Sequence, residues 1–176
     1  MLLAFLLRLH RLIDKLNDRV GRAVAWLALA MVLVQFVVVV MRYVFGLGSI
    51  MMQETVVYMH ATLFMAGAGY TLLHDGHVRV DIFYRGASAR SKAWVDLLGV
   101  LFFLAPVCIL LWHYCWPYVI RFWQVLEGSK ETSGIQGVFL LKSVLLVFAL
   151  LMVLQGISLA ARSLVTILGK SGGDGA

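Results

Sequence analysis

Charge is what this sequence lacks most: Asp, Glu, Lys and Arg make up 14% of its 176 residues, while 62% are hydrophobic. Soluble domains carry about 25% charged residues, so an ordinary water-soluble domain is excluded and the bilayer is the expected solvent. Cysteine is rare. Cys108 and Cys115 fall on one helix face about 10 Å apart along the axis, too far to bridge, and neither a disulfide framework nor a zinc site follows. Proline is limited to Pro106 and Pro117, expected respectively to kink the third long helix and to end its membrane portion. Also missing are a phosphate-binding glycine loop with its Lys-Ser/Thr, a Gly-x-Ser-x-Gly elbow and a Cys-x-x-Cys pair, which removes ATPase and hydrolase readings. The chain is not expected to be an enzyme, and no metal or cofactor is expected.

What the sequence does contain is four uncharged runs long enough to cross a membrane, each near the roughly 20 residues that a spanning helix needs. They are Ala23 to Met41, Thr55 to Leu73, Leu97 to Ile120 and Ser143 to Ala161. The expected fold is an all-α membrane protein with one domain over 1–170, spans at about 23–44, 54–74, 94–117 and 140–163, and a disordered tail at 171–176. A charged segment precedes the first run and no convincing small-residue cleavage site follows it, so this run is expected to stay as a span.

The net charge of +6 is a matter of placement. Arg8, Arg11, Lys15, Arg19 and Arg22 precede the first span; Arg79, Arg85, Arg90 and Lys92 lie between the second and third; Arg162 and Lys170 follow the fourth. Arg42, Arg121, Lys130 and Lys142 are left for the opposite side. The positive-inside rule therefore places both termini and the middle loop in the cytoplasm. No basic stretch carries interleaved base-stacking residues, so nucleic acid is not an expected partner. Over 2–20, Leu2, Leu6, Leu9, Ile13, Leu16 and Val20 recur at three or four residues while Arg8, Arg11, Lys15 and Asp18 take other faces. That pattern predicts an amphipathic interfacial helix, bound either to anionic lipid or to a partner protein.

Between the spans, Gly46, Gly48 and Ser49 predict a short turn on the outer side, with Arg42 and Glu54 flanking it as a candidate ion pair. Span two holds Ala61, Ala66, Gly67, Ala68 and Gly69, small residues that let another helix come close. Asp75-Gly76 opens the middle loop, followed by alternating His77-Val78-Arg79-Val80-Asp81, read as an extended or short helical segment suited to fixing the fold or docking a partner. Trp112, Tyr114, Trp116, Tyr118, Phe122 and Trp123 form an aromatic belt toward the outer interface. Two imidazoles lie inside the spans. His60 and His113 should sit at similar depth, about 6–9 Å from the outer boundary, so a bis-histidine b-type haem is the alternative reading, against which stands ordinary hydrogen bonding to a neighbouring helix or to water. Otherwise the spans carry little ionisable chemistry, which argues against transport by this chain alone.

Four spans with both ends inside, Arg42-Tyr43-Val44-Phe45-Gly46 after the first, Glu54 opening the second and His77-Val78-Arg79-Val80-Asp81 after it resemble the small permease subunit of tripartite ATP-independent periplasmic (TRAP) transporters. The likeness runs from about Arg11 to Leu168 and includes the outer loop from Glu127 to Ser133; Gln53 departs from it, since many members carry a second acid there. The resemblance implies a bacterial inner-membrane, multi-pass subunit. It would brace a large permease that carries an organic acid inward with sodium after a periplasmic solute-binding protein delivers it. Under it Arg42, Tyr43, Glu54, His77, Arg79 and Asp81 are candidates for partner contact or fold fixing, and Arg121, Glu127, Lys130 and Glu131 for facing the receptor. A free-standing membrane scaffold would share most of these features without a cognate permease.

Overall fold

The computed structural model of the chain describes residues 2–78, 84 and 86–169. Regular structure among them is helical throughout: α1 (Leu2–Val44), α2 (Ile50–Leu73), α3 (Ala89–Gln124) and α4 (Val138–Gly169). Each includes a stretch long and apolar enough to cross a membrane. The start of α1 and the end of α4 share one end of the bundle, the terminal end; the connections 45–49 and 125–137 lie at the other, the loop end.

α1 is a single helix of 43 residues, about 65 Å long and twice the thickness of a hydrocarbon core. The expected interfacial helix over 2–20 is therefore the first half of the same rod as the first span. No proline interrupts the join, and Gly21 serves packing: a Cβ there would stand 2.2 Å from the Tyr70 ring. The apolar stripe is turned inward only in part: among its described side chains Ile13 is buried, Leu6, Leu9 and Val20 are partly covered, and Leu16 faces outward. Leu16 is 45% exposed, while Ile13 and Asn17 are buried, because α4 offers polar partners to Asp14 and Asn17 at this level and a satisfied polar edge can be buried.

Three helices end on a left-handed residue followed by a backbone bond back into the last turn, spanning six residues at α1 and five at α2 and α3. Leu47 N–H reaches back to Met41 C=O across Gly46, Gly76 N–H to Thr71 C=O across Asp75, and Glu127 N–H to Phe122 C=O across Leu126. The residue just before each donor is left-handed, with φ of 66°, 54° and 46°. Glycine meets that geometry freely and Asp tolerates it, whereas Leu126 adopts it against its Cβ. The Asp75-Gly76 turn expected from the sequence is thus the cap of α2.

α3 is longer than its expected span at both ends. It continues through Pro117 to Gln124. Ahead of Pro106 it widens into a π-turn over Val100–Leu104, with Ala105 N–H bonded to Val100 C=O, and this wider turn takes up the ring and the missing donor that Pro106 brings.

α4 is the element on which all the others pack. Against it α3 buries Ala93 and Leu97 beside Ile167, and Cys108 joins Ala68 and Met152 in a second apolar cluster. Both cysteines are free thiols. α1 and α2 run antiparallel along each other, and α3 packs almost wholly on α4. Much of the remaining apolar surface, including Trp26, Leu29, Leu33 and Phe36 on α1, faces outward, as a membrane permits.

Candidate functional site

At the terminal end, residues 10–18 of α1 enter a polar lock with α2 and α4. Asn17 Nδ2 donates to Gln155 Oε1 at 2.8 Å, Gln155 Nε2 donates to Asp14 Oδ1 at 3.0 Å, and the Ser158 hydroxyl donates to the same Asp14 oxygen at 2.5 Å. His10 Nδ1 lies 3.4 Å from the other carboxylate oxygen. Asn17, Gln155 and Ser158 are shut off from solvent. Asn17 Oδ1 has no hydrogen-bond partner and is set against Gly69, where a Cβ would stand 2.3 Å from it; only glycine lets α2 come this near. One position on, Asp18 pairs with Arg22 at 2.9 Å and with His74, at the end of α2, at 3.3 Å. Donors and acceptors here serve one another, an arrangement that fixes helices and leaves few groups to act on a substrate.

The loop end carries a second lock. Glu54, on the first turns of α2, accepts the Ser129 hydroxyl on one oxygen and the Ile135 amide, at 2.6 Å, on the other. Glu131 N–H adds a bond to Ser129 Oγ at 3.1 Å. Glu127 pairs with Lys142, whose ammonium also lies over the Phe122 ring, 3.0 Å from its centre. Trp123 Nε1 donates to Ser143 Oγ at 2.8 Å, and its ring meets Phe139 edge-on. The connection between α3 and α4 is thereby stapled onto α2 and α4.

The candidates read from sequence divide accordingly. Glu54 is held by the 129–135 loop, and no ion pair joins it to Arg42, which is exposed beside Tyr43, itself 82% exposed. Arg42 stands exposed on the last turn of α1, whereas the carboxylate is taken up by an amide and a hydroxyl of the 129–135 loop. Among the four outer charges, Glu127 is engaged internally while Arg121, Lys130 and Glu131 are exposed. His77 is exposed and lines a cavity of about 690 Å³ between α1 and α2, with Arg22, Trp26, Tyr70 and Thr71. Arg79, Asp81 and the expected tail at 171–176 lie outside the described residues. His60 stacks on Phe64 of its own helix, and His113 borders a cavity of about 400 Å³ made by α3 and α4, to which His60 does not contribute. Among the described residues no group of three or more His, Cys, Asp or Glu is placed to hold a metal.

The sequence reading passed over Asp14, Asn17, Gln155 and Ser158. The available signal was Gln155, a lone amide in the apolar run from Ser143 to Ala161, since a polar side chain inside a span needs a partner on another helix.

Comparison with known proteins agrees with the architecture. The family described as tripartite ATP-independent periplasmic transporters, DctQ component, matches residues 31–166. A protein of Vibrio cholerae serotype O1 (strain ATCC 39315 / El Tor Inaba N16961), named C4-dicarboxylate TRAP transporter small permease protein DctQ, is 32% identical over 111 residues. That alignment covers 61% of this chain and 48% of the relative, so it spans about half the relative's length. No solved structure matches the chain. A match across most of the sequence, on a chain with four membrane-length helices, shows that it belongs to the DctQ family, the small permease component of TRAP transporters.

Proposed function

We propose that the chain is the small subunit that braces a large permease in a TRAP transporter for an organic acid. The similar Vibrio protein is named for C4-dicarboxylates, which makes them the first substrates to test. In this reading a periplasmic binding protein delivers the acid, the large permease carries it inward with sodium, and this chain enlarges the static body against which the permease moves. Both termini and the 74–92 connection face the cytoplasm of a bacterial inner membrane, following the placement of basic residues.

The observation that carries the reading is the family match over residues 31–166, supported by where the polar groups go. Asp14, Asn17, Gln155 and Ser158 bond to one another, and Glu54 bonds to the loop above it. These groups hold helices and loops in register, which suits a brace.

The test is mass spectrometry of what co-purifies with the tagged chain, extracted in mild detergent from its native membrane. One large polytopic permease in near-equal amount is the expected result; recovery of redox subunits, or of no partner, overturns it. Arg79→Gln or Asp81→Asn is expected to lower recovery of that permease, and unchanged recovery would remove the 77–81 segment from the contact.

A further inference from the structure

Three helices change character at one place. The apolar run of α2 ends at Leu73 before Asp75, that of α3 begins at Leu97 after Asp96, and that of α4 ends at Ala161 before Arg162. Two cavities meet there. One, of about 300 Å³, is lined by Asp75, Lys92, Asp96, Arg162, Ser163 and Thr166 among others. The second, of about 360 Å³, is walled by Leu72, Val95, Gly99, Val100 and Leu104. Asp96 and Leu159 belong to both, so the two form one groove, charged toward the terminal end and apolar toward the middle of the bundle. α2 and α3 scarcely touch each other along it.

Arg162 is a charged side chain that the fold leaves without a counter-charge among the described residues. It is half-buried, its guanidinium makes no hydrogen bond or ion pair among the described residues, and its Nε is closed off from solvent without an acceptor. Asp14 feels its charge without bonding to it. A guanidinium stays charged at any physiological pH and is poorly placed out of water without an anion, and its planar fork fits a phosphate.

The geometry points to a bound phospholipid in the leaflet at the terminal end, with its phosphate on Arg162 and an acyl chain in the slot beside Leu72, Val100 and Leu104. The headgroup is assigned by charge. Two cations, Lys92 and Arg162, share the polar part with two carboxylates, Asp75 and Asp96. A zwitterionic ethanolamine headgroup matches both signs, its phosphate on Arg162 and its ammonium facing Asp96, whereas an anionic headgroup brings no cation for that carboxylate. Asp96 is held at the junction by the Tyr84 hydroxyl, which donates to its two oxygens at 3.0 and 3.2 Å. The occupant fills the space that α2 and α3 leave open.

Two variants probe the two halves of the groove. Arg162→Met keeps most of the stem and removes the charge. Gly99→Phe plugs the slot, and a Cβ at that position meets no atom within 4 Å, so the ring enters open space. The full chain, with whatever assembles on it, is extracted in mild detergent, stripped of lipid stepwise, and offered phosphatidylethanolamine, phosphatidylglycerol or inorganic phosphate while native mass spectrometry counts bound lipid. The wild type is expected to retain one phosphatidylethanolamine, with each variant lowering its occupancy by about tenfold and neither phosphatidylglycerol nor phosphate displacing it. Equal retention in Gly99→Phe overturns the proposal, as does displacement by phosphatidylglycerol or phosphate at similar concentration. Circular dichroism verifies that both variants keep their helix content; if Arg162→Met does not, Gly99→Phe decides alone.

Discussion

Asn17 and Gln155, 138 positions apart in the chain, share a 2.8 Å hydrogen bond between two amides that solvent does not reach. That bond joins the first half of α1 to α4 and turns what reads as a surface helix into part of the bundle. Removing one partner strands the other, and a buried unsatisfied amide is costlier than a lost bond. Gln155→Leu is therefore expected to lower stability by about 1–3 kcal/mol, read as an earlier unfolding transition in detergent. The double variant Asn17→Leu/Gln155→Leu should recover part of that loss. A double variant worse than the sum of the two singles would contradict this account.

Gly69 and Gly67 should respond oppositely to the same added methyl. At Gly69 the Cβ would stand 2.3 Å from Asn17 Oδ1, while at Gly67 the nearest atom is Val24 Cγ2 at 3.9 Å. Gly69→Ala is expected to cost about 1–3 kcal/mol by forcing α1 from α2, and Gly67→Ala to be neutral or mildly stabilising, since alanine favours helix over glycine. Equal effects at both positions would show that close approach at Gly69 is not what sets the α1–α2 distance.

Glu54 acts on a loop rather than on a cation. Glu54→Ala removes the acceptor of both Ser129 and Ile135, so the amide of Ile135 is expected to exchange hydrogen about tenfold faster or more. Glu54→Gln keeps a carbonyl oxygen and should fall between. Arg42→Gln is expected to leave this exchange unchanged; an effect as large as that of Glu54→Ala would restore the ion pair that the structure lacks.

The Glu127–Lys142 pair predicts an asymmetry. Lys142, with 18% of its side chain exposed, sits among Phe122 and Tyr118, whereas Glu127 is more open at 28%. Lys142→Met preserves the aromatic contacts and leaves a carboxylate that water can reach; Glu127→Leu leaves an enclosed ammonium without its counter-charge. Thermal unfolding should therefore come earlier in Glu127→Leu than in Lys142→Met, and the reverse order would place the stabilisation in the carboxylate's other contacts.

The sequence by itself determined the four membrane-length helices and the family. Hydropathy over a run of about 20 residues decides whether a segment suits a bilayer whatever lies beside it, and segments such as Arg42 to Gly46 and His77 to Asp81 are contiguous, so both are legible in one dimension. Tertiary structure alone decided that α1 runs unbroken from Leu2 to Val44, that Glu54 turns to Ser129 and Ile135 instead of Arg42, and that Asn17 meets Gln155 over the bare face of Gly69. The two contacts depend on how far one element is rotated and slid against another. A shift of a single residue turns a helical side chain by about 100°, so the composition that commits the chain to the membrane leaves open which of its few polar groups will find one another.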